Sequence, residues 1–259
     1  MPFLTAGGHR LEYVLLDPPA AVAGAPALVM LHEGLGSVAL WKTFPASAAA
    51  VTGARVLAYS RYGYGKSDRL AAPHGVDYMH REALDVLPEV LDRLGIGDPV
   101  LVGHSDGASI ALIHAGAGRW PVRGVVAMAP HVFVEDVTVR SIAQAKVAFA
   151  TTDLPQRLGR FHDDVESTFR GWNDIWLHPD FLQWNIEACL AGIRCPVLLI
   201  QGEDDQYGTR AQVDAVARGV SGPVEVLMLP DCAHAPHQTN RDETLQAVAK
   251  FVAALRGPA

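Results

Sequence analysis

The chain has 259 residues, 49% of them apolar and 19% charged, with a formal net charge of −7. That length and composition suit one α/β domain with an insertion and a large core. No Lys/Arg cluster offsets the negative charge, so nucleic acid and anionic membrane are excluded as expected partners.

The longest apolar runs, such as ALVML and PVLLI, are far too short to cross a bilayer. The first twenty residues show no basic start followed by a long apolar stretch. Cys189, Cys195 and Cys232 form no CxxC pair. Reduced thiols and a cytoplasmic setting are the expectation.

In chain order, LEYVLL (11–16) reads as an antiparallel lead-in strand, and the Ala/Pro/Gly stretch 18–26 as a surface connection. ALVMLH (27–32), RVLAYS (55–60), PVLVGH (99–104), VRGVVAMA (122–129), CPVLLIQG (195–202) and VEVLML (224–229) read as buried strands. Their apolar residues are continuous rather than alternating, as parallel strands covered on both faces require. Helical patterns separate them: REALDVLPEVLDRLG, ASIALIHAGA, TRAQVDAVARGV and DETLQAVAKFVAALRG. The alternation predicts an α/β fold with a doubly wound, mostly parallel sheet. Residues 131–190 break the rhythm: they hold no clear strand and concentrate Phe169, Trp172, Trp176, Phe181 and Trp184. They are read as a helical lid, dividing a core of 1–130 and 191–259. Aromatics at helical spacing also suit ordinary packing.

LVGHSDGAS (101–109) contains G-x-S-x-G between a strand and a helix. Serine is a weak nucleophile. A sharp strand-to-helix turn exposes it, and Gly103 and Gly107 relieve the crowding there. The helix N-terminus favours developing negative charge. Ser105 is therefore the candidate nucleophile. His32 and His104, at strand ends, read as packing or hydrogen-bonding residues.

On this motif and its setting the chain resembles the α/β-hydrolase superfamily over nearly its whole length. That resemblance implies a triad in the order nucleophile, acid, histidine. The acid falls in LLIQGEDDQYG, where counting from Gly202 gives Asp205, with Asp204 as its neighbour to reject. The histidine falls in LMLPDCAHAPHQTN, where His234 fits best and His237 is the alternative. Thr239 stands where the family often has glutamate. The oxyanion donors implied are the backbone N–H groups of Asp106 and Gly34. His131, Phe133, Trp172, Trp176 and Trp184 are candidate substrate contacts.

Two departures from the family pattern coincide. Glu33 stands where glycine is usual, and SRYGYG places Arg61 where the common pattern differs. An ionised carboxylate aimed at an oxyanion would oppose catalysis, so a Glu33–Arg61 pair behind the loop is expected, against a solvent-facing Glu33. No metal and no cofactor are expected: HExxH and GxGxxG are absent, and RYGYGKSD lacks the first glycine of a phosphate loop. The activity implied is a serine hydrolase acting on small to medium carboxylic esters. Enol-lactone or carbon–carbon bond hydrolysis on the same triad, and a ligand sensor with slow turnover, are the alternatives.

Overall fold

The computed structural model describes residues 2–256. Eight strands form one sheet: β1 (Phe3–Ala6), β2 (His9–Leu16), β3 (Leu28–Leu31), β4 (Val56–Tyr59), β5 (Val100–His104), β6 (Gly124–Met128), β7 (Val197–Gly202) and β8 (Val224–Leu229). Their order is β1-β2-β4-β3-β5-β6-β7-β8. β1 and β2 run antiparallel, and every pairing from β4 to β8 is parallel. The expected fold class is the one observed.

The continuous apolar runs explain the middle of this sheet. All residues of β3, β4, β5, β6 and β7 are buried. Their side chains enter two core clusters, one on each face. Two details depart from the sequence reading. β1 was not anticipated. β8, expected to be buried, is the edge strand, and its Glu225 and Val226 are exposed. A run of apolar residues does not say which strand has a neighbour on one side only.

The helix Asp106–Ala117 is buried over its first ten residues. Its sequence is largely apolar on every side, as a helix with no solvent face requires, and its buried polar residues Ser109 and His114 hydrogen-bond the His131 and Ala83 carbonyls. The helical run from Tyr78 to Arg93 includes a wide π turn at Glu82–Val86. Pro88 follows that turn and has no N–H for the ordinary helical bond.

Between β6 and β7 the chain forms helices Asp136–Thr151, Leu154–Leu158, Val165–Trp176 and Glu187–Leu190. Val165–Trp176 starts at Asp164, whose side chain accepts from the Ser167 N–H at 3.1 Å. It buries Thr168, Phe169, Trp172, Ile175 and Trp176, residues spaced three or four apart that face the core as one stripe. Among the described residues, no helix is long and apolar enough to cross a membrane.

Two glycines set how closely β5 and its helix approach the sheet. A Cβ on Gly107 would overlap the Leu31 carbonyl, and one on Gly103 would overlap the carbonyl of Gly107. Backbone atoms cannot rotate away as a side-chain tip can. Gly107→Ala is therefore expected to cost more than about 2 kcal/mol, lowering the melting temperature by roughly 5 °C or more. Gly97→Ala, where a Cβ meets open space, should shift it by about 1 °C or less. Differential scanning calorimetry of the two variants checks the contrast.

Candidate active site

The ends of β3, β5, β6, β7 and β8 converge where their loops meet. β5 ends at His104, and Ser105 follows with φ 53° and ψ −118°. This backbone turn points Oγ away from the sheet. The loop after β7 carries Asp205, and the loop after β8 carries His234. His234 Nε2 lies 2.9 Å from Ser105 Oγ, and its Nδ1 lies 2.9 Å from both carboxylate oxygens of Asp205.

Asp205 is held on several sides. It accepts from the N–H groups of Tyr207 (2.8 Å) and Gly208 (3.3 Å) and from Gln201 Nε2 (2.7 Å). Burial pushes its pKa up, but the hydrogen bond and charge of His234 and the Tyr207 N–H outweigh burial and leave it below the ordinary value. Asp204 is exposed, and its backbone N–H bonds the Cys232 carbonyl. His237 is buried against Trp41 and Phe44. Neither Asp204 nor His237 joins the Ser105–His234–Asp205 line.

A cavity of about 150 Å³ opens onto Ser105. Gly34, Asp106, His131, Trp172 and Trp176 line it with His234. The indole of Trp172 stands over Gly34 so closely that a Cβ there would overlap it. The helix carrying Trp172 is tied down by Thr168, whose hydroxyl donates to the Gly63 carbonyl at 2.7 Å. Two of the expected contacts lie elsewhere. Phe133 pairs by a β-bridge with Asn185 outside the cavity. Trp184 stacks on Phe181 behind Trp176. Thr138, Ile142 and Tyr207 line the cavity without having been singled out from the sequence. The four-residue spacing of Thr138 and Ile142 on one helix was the available signal. A larger cavity of about 360 Å³, between Pro73 and Arg170, holds none of the Ser105 cluster.

The expected Glu33–Arg61 pair is corrected. Arg61 does bind residue 33, but through its backbone: Nη2 donates to the Glu33 carbonyl at 3.1 Å, and Nη1 donates to the His32 carbonyl. The guanidinium also faces the Asp106 carboxylate, 3.7 Å away and further held by Tyr78 Oη at 2.7 Å. The Glu33 carboxylate turns instead towards His104, with Oε2 3.3 Å from Nδ1. Gly36 makes room for this turn, since a Cβ there would meet Glu33 Oε2 at 2.6 Å. Burial pushes the Glu33 pKa up, yet the His104 hydrogen bond and charge, aided by His237 and His32, hold it well below the carboxylate range.

Burial, with the His234 charge second, pulls the His131 pKa down to about 3. Burial and the His104 charge likewise pull His237 to about 3. Cys232 is buried with Sγ 3.3 Å from Thr239 Oγ1, and burial raises its thiol pKa. It is poorly suited to act as a thiolate nucleophile.

Residues 28–247 match the profile of the alpha/beta hydrolase family. The chain belongs to that family. Over 105 residues, 40% of this chain and 32% of the relative, it is 34% identical to the sn-1-specific diacylglycerol lipase ABHD11 of Mus musculus. Over 216 residues, 82% of this chain and 56% of the relative, it is 27% identical to Epoxide hydrolase B of Mycobacterium tuberculosis. The chain thus spans between 32% and 56% of the length of these curated relatives. The proline iminopeptidase of Mycobacterium smegmatis superposes with a TM-score of 0.78 at 18% identity, covering 98% of both chains. That likeness concerns the fold.

The depressed Asp205 pKa has a consequence for stability. The carboxylate stabilises the fold above its unfolded pKa of about 3.9, and this contribution is lost as pH falls through the lower folded value. Urea unfolding of the native chain and of Asp205→Asn, from about pH 5 to pH 2, is expected to show a shallower acid loss in the variant.

Proposed function

We propose that this chain is a serine hydrolase acting on small, neutral carboxylic esters. The observation that carries the reading is the unbroken hydrogen-bonded line from Asp205 through His234 to Ser105 Oγ, ending in a small cavity. In this reading His234 Nε2 takes the Ser105 proton as Oγ attacks the ester carbonyl. Asp205 holds the imidazole with Nδ1–H directed at its carboxylate and stabilises the imidazolium that forms. The backbone N–H groups of Asp106 and Gly34 receive the developing oxyanion, each worth about 3 kcal/mol of transition-state stabilisation. His234 then protonates the departing alkoxide, and a water activated by the same imidazole releases the acid from the acyl-enzyme.

Size and charge of the cavity support the substrate class. A cavity of about 150 Å³ is the size that holds one benzene ring in other proteins. Its lining includes the acidic residues Glu33 and Asp106 and neither lysine nor arginine. An anionic acyl group would find no lysine or arginine there to pair with, and two acidic residues close by. Residues 131–190 act as a lid in this reading, with Trp172 and Trp176 forming the roof over Ser105, between core segments 1–130 and 191–259.

Nitrophenyl esters of increasing acyl length, with lactones of matching size, test the proposal. Turnover is expected to peak between acetyl and butyryl and to fall steeply by octanoyl. Ser105→Ala should lower kcat by about 10⁶-fold and Asp205→Asn by about 10⁴-fold. Asp204→Asn should stay within about twofold of the native chain. Retained turnover in Ser105→Ala, or a preference for dicarboxylic monoesters, would overturn the reading.

A second outcome concerns the roof. Trp172→Ala removes the indole above Gly34 and should move the acyl-length optimum upward by two to four carbons, as a steady-state chain-length series would read.

A further inference from the structure

His104 immediately precedes Ser105, yet its side chain is absent from the reaction just described. Its ring is buried and bonded at both nitrogens. Nε2 lies 2.7 Å from the backbone carbonyl of His234, and Nδ1 lies 3.3 Å from Glu33 Oε2. A carbonyl and an ionised carboxylate accept hydrogen bonds and do not donate them. A neutral imidazole has one N–H, so it would turn a lone pair towards one of these acceptors. The geometry therefore calls for both ring protons.

We propose that His104 is an imidazolium that serves as a positioning residue, joined to Glu33 and to the His234 backbone. This single cation draws together three parts of the site: the strand end bearing Ser105, the loop bearing Gly34 and the loop bearing His234. The inference rests on the roles assigned above to those three residues. It also answers why a carboxylate stands in a loop that would receive an oxyanion. Glu33 is spent on His104, and the His104 cation is what the loop needs in order to carry it.

The surroundings are consistent with the charge. Glu33 faces His104 from the loop after β3, His131 from the loop after β6, Asp205 from the loop after β7, and His234 and His237 from the loop after β8. Burial pulls the His104 pKa down, but the hydrogen bond and charge of Glu33, the His234 carbonyl and the Asp205 charge outweigh it and raise the pKa above the ordinary value. Burial drives His131, His237 and His32 the other way. The histidine carrying charge is thus set beside anions and among neutral rings. With a raised pKa, the contribution of His104 to stability is complete below about pH 6.5 and is lost as pH rises through the folded value.

The test has two independent arms. In the first, the imidazole N–H region of ¹H–¹⁵N spectra is followed against pH, with His104 assigned by its disappearance in His104→Gln. Two ring protons at pH 7.5 are expected in the native chain. Glu33→Gln should lower the titration midpoint of His104 by about one unit or more. In the second arm, kcat/KM on nitrophenyl acetate is measured against pH. Glu33→Gln should shift the alkaline limb downward by about one unit, a loss of about tenfold at the high-pH end. His104→Gln should lower kcat with little change in KM, because the presentation of His234 suffers rather than substrate binding.

A single ring proton on native His104 at pH 7.5 would overturn the proposal, even if Glu33→Gln failed to fold. So would an active Glu33→Gln enzyme whose pH profile overlays the native one. If the native chain neither hydrolyses short esters nor takes a fluorophosphonate label at Ser105, the serine-hydrolase reading fails instead. The ring-proton arm then still decides the ion pair.

Discussion

Ser105 occupies a backbone conformation that residues with a Cβ rarely adopt, and such positions cost about 1–3 kcal/mol. The neighbourhood holds that turn in place. The Ser105 N–H donates to the Met128 carbonyl at 2.9 Å, while its own carbonyl accepts from Ala108 (2.9 Å) and Ser109 (3.1 Å). Gly107 lets the following helix touch β3, and Gly103 lets the strand pass under that helix. The turn is therefore braced by β3 on one side and β6 on the other. The loops that follow these two strands supply Gly34 and His131. A requirement at one serine thus accounts for where the cavity lies and for which loops surround it.

Buried charge follows the same logic. Three carboxylates stand near the cavity, and each has a nitrogen base or cation close by: Asp205 with His234, Asp106 with Arg61, and Glu33 with His104. Isolated buried charges are costly, so pairing is a condition for having them there at all. In the Asp106 and Glu33 pairs the cationic partner lies outside the cavity lining, while the carboxylate residue belongs to it. The result is a chamber lined by indole, imidazole, phenol and aliphatic side chains, with no lysine or arginine among them. Arg61 also fixes the backbone of residues 32 and 33, which keeps the loop rigid without neutralising the Glu33 side chain.

The sheet was legible in the sequence because parallel strands buried on both faces leave continuous apolar runs, and six of them could be placed within a few residues. The turn at Ser105 was legible because its glycines are needed for local steric reasons. Asp205 and His234 were picked out through the resemblance to the α/β-hydrolase superfamily, which implies an acid and a histidine in the loops after these two strands. What escaped was long-range. The partner of Glu33 is 71 residues away in sequence. The choice between Arg61 and His104 depended on which way a side chain bends past Gly36. Trp184 and Phe133 have the right composition for a pocket, but their positions follow from how the helices between β6 and β7 pack. Edge placement of β8 and the presence of β1 likewise depend on sheet order, which apolar periodicity does not encode.

The contacts of the helix Val165–Trp176 form a closed circuit. Thr168 holds the Gly63 carbonyl, and Gly63 lies two residues from Arg61. Arg61 grips the carbonyls of His32 and Glu33, Gly34 follows, and Trp172 returns from Gly34 to the helix that carries Thr168. Residues in one such ring do not respond independently to substitution. Changes at 34, 63, 168 and 172 should be epistatic, so that a wider chamber is reached through particular orders of replacement and closed to others. A descendant of this chain that accepts bulkier acyl groups is then expected to differ at several members of the ring together.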